Sequence, residues 1–163
     1  MFVNGQEVRE VKSVGHYNHE RSMMTRGVRN NNPGNMEPLP HDIWRGQVGD
    51  DGRFLIFETP EHGIRAMAKD IMTKFLGRSR HVSRPQTTVS QIIMLWAPPM
   101  ENDTKAYIDL VCERMEVGED EELDLFDDRV QLARMIGAMV EMENGFVYED
   151  DVLMDGVEAA FTI

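Results

Sequence analysis

Two carboxylates in this chain occupy helix ends, where acid–base chemistry is readily tuned. Glu143 closes the segment Met139-Val-Glu-Met-Glu-Asn-Gly145, at the C-terminal end of an apolar helical stripe. A carboxyl there meets the negative end of the helix dipole with its base packed in apolar surroundings, which suits a proton donor. Glu101, in Pro99-Met-Glu-Asn-Asp-Thr104, precedes a helix start, where the dipole favours a permanent carboxylate. A proton-donating acid beside an ionised partner is the pattern that cleaves glycosidic bonds. Each residue also has a plainer reading. Asn144-Gly145 makes an ordinary helix C-cap after Glu143, and Glu101 belongs to the capping region of the next helix.

A second group suits sugar binding. Arg26-Gly-Val-Arg-Asn-Asn-Asn-Pro-Gly-Asn35 cannot be a helix interior or a central strand. Asn and Gly tolerate left-handed backbone, so this reads as a shaped loop rich in amide donors and acceptors. Asn31, Asn32 and Asn35 are its candidate substrate-binding residues. Trp44, Phe54 and Phe57 follow closely. Amides beside aromatic rings match carbohydrate, which offers hydroxyls and apolar ring faces. Trp44, Trp96 and Tyr107 each read as a stacking platform or as core, and Trp44 and Tyr107 are the candidate stacking faces. Trp96, between Ile92 and Pro98-Pro99, reads as core.

Other chemistries find little support. No Ser lies on a nucleophile elbow. The histidines at 16, 19, 41, 62 and 81 lack metal-ligand spacing, and neither metal nor cofactor is expected. Cys112 is the lone cysteine, which excludes an intramolecular disulfide; it sits on an apolar helical stripe and reads as core.

The elements that must position these residues are mostly helices. Residues 1–25 read as a weak strand or an arm, and residues 26–52 as loop. Gly49-Asp-Asp-Gly52 marks a turn joining a hairpin of Trp44–Val48 and Arg53–Phe57. Thr59, Pro60 and Glu61 open a helix with Ile64, Met67, Ala68, Ile71 and Phe75 at helical spacing, ended by Gly77. Thr88 and Gln91 form a capping box for a second helix, stopped by Pro98-Pro99. Asn102 or Asp103 caps a third, carrying Tyr107, Ile108, Val111 and Met115. A fourth runs from about Asp127 to Met142, and residues 152–163 contain a short apolar piece. The 13 methionines fall on these stripes and read as adaptable core packing.

A chain of 163 residues suits one domain with one core, and no apolar run approaches a membrane span. The first twenty residues are mixed and charged, unlike a signal peptide. Charge is unevenly placed. Residues 1–84 carry 13 basic and 10 acidic side chains, whereas residues 85–163 carry 4 and 19. A net charge of −12 argues against nucleic acid as a partner. Arg78, Arg80 and Arg84 form a basic patch suited to an acidic neighbour or to the acidic half of another copy. Residues 116–128 hold eight carboxylates and read as a solvated loop.

The order of motifs adds a resemblance. The Asn-rich segment is followed by Trp44-Arg-Gly46, Phe54-Leu-Ile-Phe57, Gly63-Ile-Arg-Ala66, Trp96-Ala-Pro-Pro99, Glu101-Asn-Asp-Thr104 and Glu143-Asn-Gly145. Over residues 25–160 this resembles a family of small bacteriophage virion proteins. The middle is similar, more weakly, to glucosaminidases of the lysozyme-like superfamily. Glu143-Asn-Gly145 looks like the Glu-Ser-Gly that ends the catalytic helix of many such enzymes. There that helix precedes the Asn-rich loop; here it follows, which a circular permutation would reconcile.

The resemblance implies an N-terminal arm (1–25) and a mainly α, lysozyme-like domain with a small β-hairpin (26–163). It implies a place in the virion, bound to other virion proteins and open to homo-oligomer formation. Two functions remain: a structural virion component, or a virion-associated peptidoglycan hydrolase or lytic transglycosylase. Glu143 and Glu101 would be catalytic in the second, and Asn31, Asn32, Asn35, Trp44 and Tyr107 would bind substrate.

Overall fold

The computed structural model describes residues 24–162. The expected arm lies almost wholly outside the described residues, as do His16 and His19. Among the described residues, six helices and one two-stranded antiparallel sheet follow in order. They are α1 (Arg26–Arg29), β1 (Gln47–Asp50), β2 (Leu55–Phe57), α2 (Pro60–Phe75), α3 (Val89–Trp96), α4 (Thr104–Met115), α5 (Arg129–Asn144) and α6 (Asp150–Ala159). The protein is mainly helical with a small hairpin, as the sequence predicts.

The helix starts follow side-chain chemistry. Thr59 accepts the His62 N–H ahead of Pro60, and Thr88 and Gln91 complete a reciprocal capping box. Asp103, not Asn102, caps α4 by accepting from the Ala106 N–H. Asp128 caps α5, and Gly145 ends it in a left-handed conformation, φ 63°.

Three elements depart from the sequence reading. The first four residues of the supposed loop, Arg26–Arg29, form a single helical turn capped by Thr25, and its Gly27 and Val28 are buried. The hairpin turn falls later than Gly49–Gly52. Asp51 Oδ1 accepts the N–H groups of Arg53 and Phe54, so the chain reverses over residues 51–54 and β1 is displaced to Gln47–Asp50. The apolar tail is a ten-residue helix, α6, whose N-cap Glu149 makes no side-chain cap bond. Tertiary packing supplies what the cap does not. Val152, Leu153 and Val157 are buried, and α6 has its most extensive contacts with α2. A Cβ at Gly156 would lie 2.6 Å from Ile64, so this approach requires glycine.

The core lies between α2, α3, α4, α5 and α6. Ile64, Met67, Ile71, Ile92, Met135 and Met139 are fully enclosed there. Each such side chain contributes about 1.5–3 kcal/mol over an exposed one. A smaller cluster of Leu55, Phe57 and Ala66, flanked by Trp44 and Met36, fastens the hairpin to α2. All eight carboxylates between Glu116 and Asp128 are exposed, while Leu123 and Leu125 pin that segment to the core.

Candidate functional site: a carboxylate groove beside the asparagine loop

The asparagine loop is held in place by its own side chains. Asn30 Nδ2 donates to Asp51 Oδ2 (2.8 Å), and Asn31 Nδ2 to the Phe57 carbonyl (3.1 Å). Asn32 is fully buried. Its Nδ2 donates to the carbonyls of Met36 and Leu55, and its Oδ1 accepts the Met36 N–H. Main-chain bonds add to this: Phe57 donates to the Asn30 carbonyl and Leu55 to that of Met36. The loop is thereby stitched along the hairpin, and Asn31 and Asn35 take positive φ to follow it. Helix α2 closes from the other side. A Cβ at Gly63 would lie 2.0 Å from the Asn31 carbonyl oxygen, so only glycine fits there.

Arg26 tightens the far edge. Its guanidinium makes a bidentate pair with Asp51 (2.6 and 2.9 Å) and lies 4.8 Å from the centre of the Phe54 ring. These bonds, the Arg26 contact first, hold the Asp51 carboxyl far below the usual carboxylate range.

The end of α5 meets this loop through Asn144, which in the sequence is marked only as part of a C-cap. Asn144, nearly buried, donates from Nδ2 to the Pro33 carbonyl (2.8 Å) and to Val140 one turn back (3.1 Å). Its Oδ1 accepts the Thr25 hydroxyl (2.6 Å). Asn144 thus rivets the helix end to the loop across 111 positions of sequence. The only sequence signal for it was its place between Glu143 and the left-handed Gly145.

Glu143, next to that rivet, is half-buried and lines a cavity of about 370 Å³. Gly34, Asn35, Trp44, Asp70, Lys74 and Trp96 also line it. Two donors converge on one oxygen of Glu143: the Trp96 indole N–H (3.3 Å) and the Tyr107 hydroxyl (3.0 Å), both to Oε2. Oε1 takes no hydrogen bond from the described residues. Burial, and next the neighbouring Glu143 charge, push the Tyr107 phenol well above its usual range, so it remains a donor. Lys74 pairs with Asp70 one turn earlier on α2, and its ammonium lies 5.8 Å from the centre of the Trp96 ring. Asp70, Lys74, Trp96 and Glu143 thus line the groove together with Gly34 and Asn35 of the asparagine loop and with Trp44.

The sequence candidates separate on this geometry. Glu143, Asn35 and Trp44 are brought together at the cavity. Asn31 and Asn32 spend their amides on the hairpin backbone. Tyr107 is only 3% exposed, so its ring offers no stacking face; its hydroxyl positions Glu143 instead. The apolar stripe of α4 that makes Tyr107 visible in the sequence is also what turns it inward. Trp96 is not purely core, because its indole reaches the groove edge. Glu101 is exposed on the turn before α4; it neither caps that helix nor lines the cavity. Asp70 and Lys74 are additional groove residues that no motif announced. Cys112 is half-buried and packs against the core, and burial raises its thiol above the ordinary range, which disfavours the thiolate. Among the described residues, no group of three or more His, Cys, Asp or Glu is placed to hold a metal, and no helix is long and apolar enough to cross a membrane.

A mainly helical protein with a carboxylate groove beside an asparagine loop is the class that fold and site define. No protein-family model matches the chain. It is 36% identical over 141 residues to Protein P5 of Pseudoalteromonas phage PM2, covering 83% of this chain and 82% of that protein. The chain belongs to the phage protein family that includes Protein P5.

Proposed function

We propose that this protein is a virion component with a lysozyme-like domain that cleaves murein glycan, with Glu143 as the general acid. The observation that carries this reading is the setting of Glu143. It lines a groove of ligand size, with amide, indole and aromatic groups around it. Trp96 and Tyr107 fix Oε2, so the side chain is oriented and Oε1 is left for a glycosidic oxygen. General acid catalysis asks for that: a carboxyl on a rigid element, within hydrogen-bond reach of the leaving oxygen, in a site that also grips the sugar.

Two features support the lysozyme-like and permuted reading. The helix bearing the carboxylate ends against the asparagine loop in space, although it comes more than a hundred residues later in sequence. The loop is then followed by an aromatic hairpin and by a helix opening near Gly63. Asp70 and Glu37 also line the cavity, and Asp70 is held by Lys74. Asp70 is the better-fixed second carboxylate for a hydrolase. Membership of a phage protein family supports a place in the particle, where the exposed acidic segment would meet other virion proteins.

The test is cleavage of purified peptidoglycan by the isolated protein. Wild type releases soluble glycan fragments. Glu143→Gln, which keeps shape and removes the proton donor, releases none while folding normally. Wild-type protein inert on peptidoglycan would leave a purely structural virion role as the better account.

A further inference from the structure

A second depression, of about 230 Å³, is lined by α2 with the residues just after it, by the acidic segment and by the C-terminal residues. Met72, Leu76, Phe126 and Phe161 form its apolar surface. Phe126 is 48% exposed and Leu76 37%, and the two line this one depression together instead of standing singly on the surface. Phe126 is nevertheless held in place. Its ring packs edge-on against Phe161, whose face is covered by Arg129 at 3.6 Å, and Arg129 Nε donates to the Phe126 carbonyl. An apolar group presented on a fixed support is a poor candidate for a random surface residue.

The charges flanking this strip differ by side. On the α2 side stand Lys69 and Arg78, leading into the exposed Arg80 and Arg84; none of these forms an ion pair with a described residue. On the other side Phe126 is flanked in the chain by the exposed Asp124 and Asp127, and the one cation there, Arg129, is already paired with Glu158. An apolar strip with cations along one edge and carboxylates along the other is complementary to itself. Rotation by a two-fold axis lying along the strip sets each basic edge against the partner's acidic edge and stacks the apolar strips.

We propose that this face is a self-association surface, occupied by a second copy of this chain across a two-fold axis. The apolar centre supplies contact and the paired edges supply register. Because the edges are solvent-exposed, association weakens as salt screens them.

Sedimentation velocity on the full chain, over a concentration series at low and at high salt, tests this. Wild type forms a dimer at low salt, with looser association at high salt. Arg78→Glu, and separately Asp124→Lys with Asp127→Lys, each place like charges opposite one another on both halves of the interface. Each should weaken association by about tenfold or more. Mixing the two variants restores an opposite-charge pairing in the heterodimer and should recover tighter association than either alone. Phe126→Ser should weaken association at both salt levels. Circular dichroism confirms that each variant is folded. A wild-type monomer at every concentration in low salt overturns the proposal and leaves the face to another acidic virion protein. A dimer indifferent to Arg78→Glu and Phe126→Ser, or a mixture no tighter than its components, overturns it equally.

Discussion

Replacing Asn144 by Ala removes the contact that joins the α5 end to the asparagine loop, and the structure sets the size of the effect. Three hydrogen bonds are lost: Nδ2 to Pro33 and Val140, and the Thr25 hydroxyl to Oδ1. The Val140 carbonyl keeps its place in the helix, and the Thr25 hydroxyl can turn to water because Thr25 is exposed. The Pro33 carbonyl cannot, because Pro33 is buried. One lost bond costs about 1 kcal/mol, and a buried acceptor left unpaired adds about 1–3 kcal/mol. A total of about 2–4 kcal/mol follows, which for a chain of this size lowers Tm by roughly 6–12 °C. Asn144→Asp keeps the acceptor for Thr25 but turns an oxygen toward the Pro33 carbonyl, so it should be no better tolerated. Scanning calorimetry measures both. Activity on peptidoglycan should fall in Asn144→Ala even well below its Tm, because Glu143 loses its fixed neighbour. An Asn144→Ala protein melting within about 1 °C of wild type would refute the rivet.

Other substitutions probe separate parts of the groove. Tyr107→Phe removes one donor to Glu143 without altering the cavity wall; kcat should fall about 10–100-fold with KM nearly unchanged, measured on soluble glycan fragments. A comparable rise in KM would point instead to direct substrate contact. The Asp51 carboxyl is depressed in the folded state, so its contribution to stability is complete above the ordinary carboxylate range and is lost only as pH falls through its lower folded value. Thermal melts from neutral pH downward should show Asp51→Asn less stable than wild type near neutrality, with the gap closing in strong acid.

How much of this was legible from residues alone can be traced element by element. The starts of α2 and α3 were plain because Thr59 and Thr88 announce themselves within three residues. α6 was not, since it lacks a side-chain cap and depends on contact with α2, a partner some ninety residues away. Glu143 was visible from helix-end chemistry and Trp44 from its spacing to the loop. Asn35 was visible as one amide among several, but sequence could not tell it from Asn31 and Asn32, whose side chains go to the hairpin. The same limit hid Asn144, Asp70 and Lys74. Their roles come from distant partners, and nothing in local spacing shows which wall a side chain will meet. Trp96 and Tyr107 exchanged expected parts for a similar reason: both lie on apolar stripes, yet each turns its single polar atom toward Glu143.

The central claim is that Glu143 donates a proton to a glycosidic oxygen. Mass spectrometry of the products from purified peptidoglycan, digested side by side with wild type and Glu143→Gln at matched Tm, tests it most directly. The account predicts glycan fragments cut between sugars for wild type, with the ends of the fragments distinguishing hydrolysis from transglycosylation. It predicts no such fragments for Glu143→Gln. Undiminished cleavage by Glu143→Gln, or fragments cut only within the peptide stems, would contradict it.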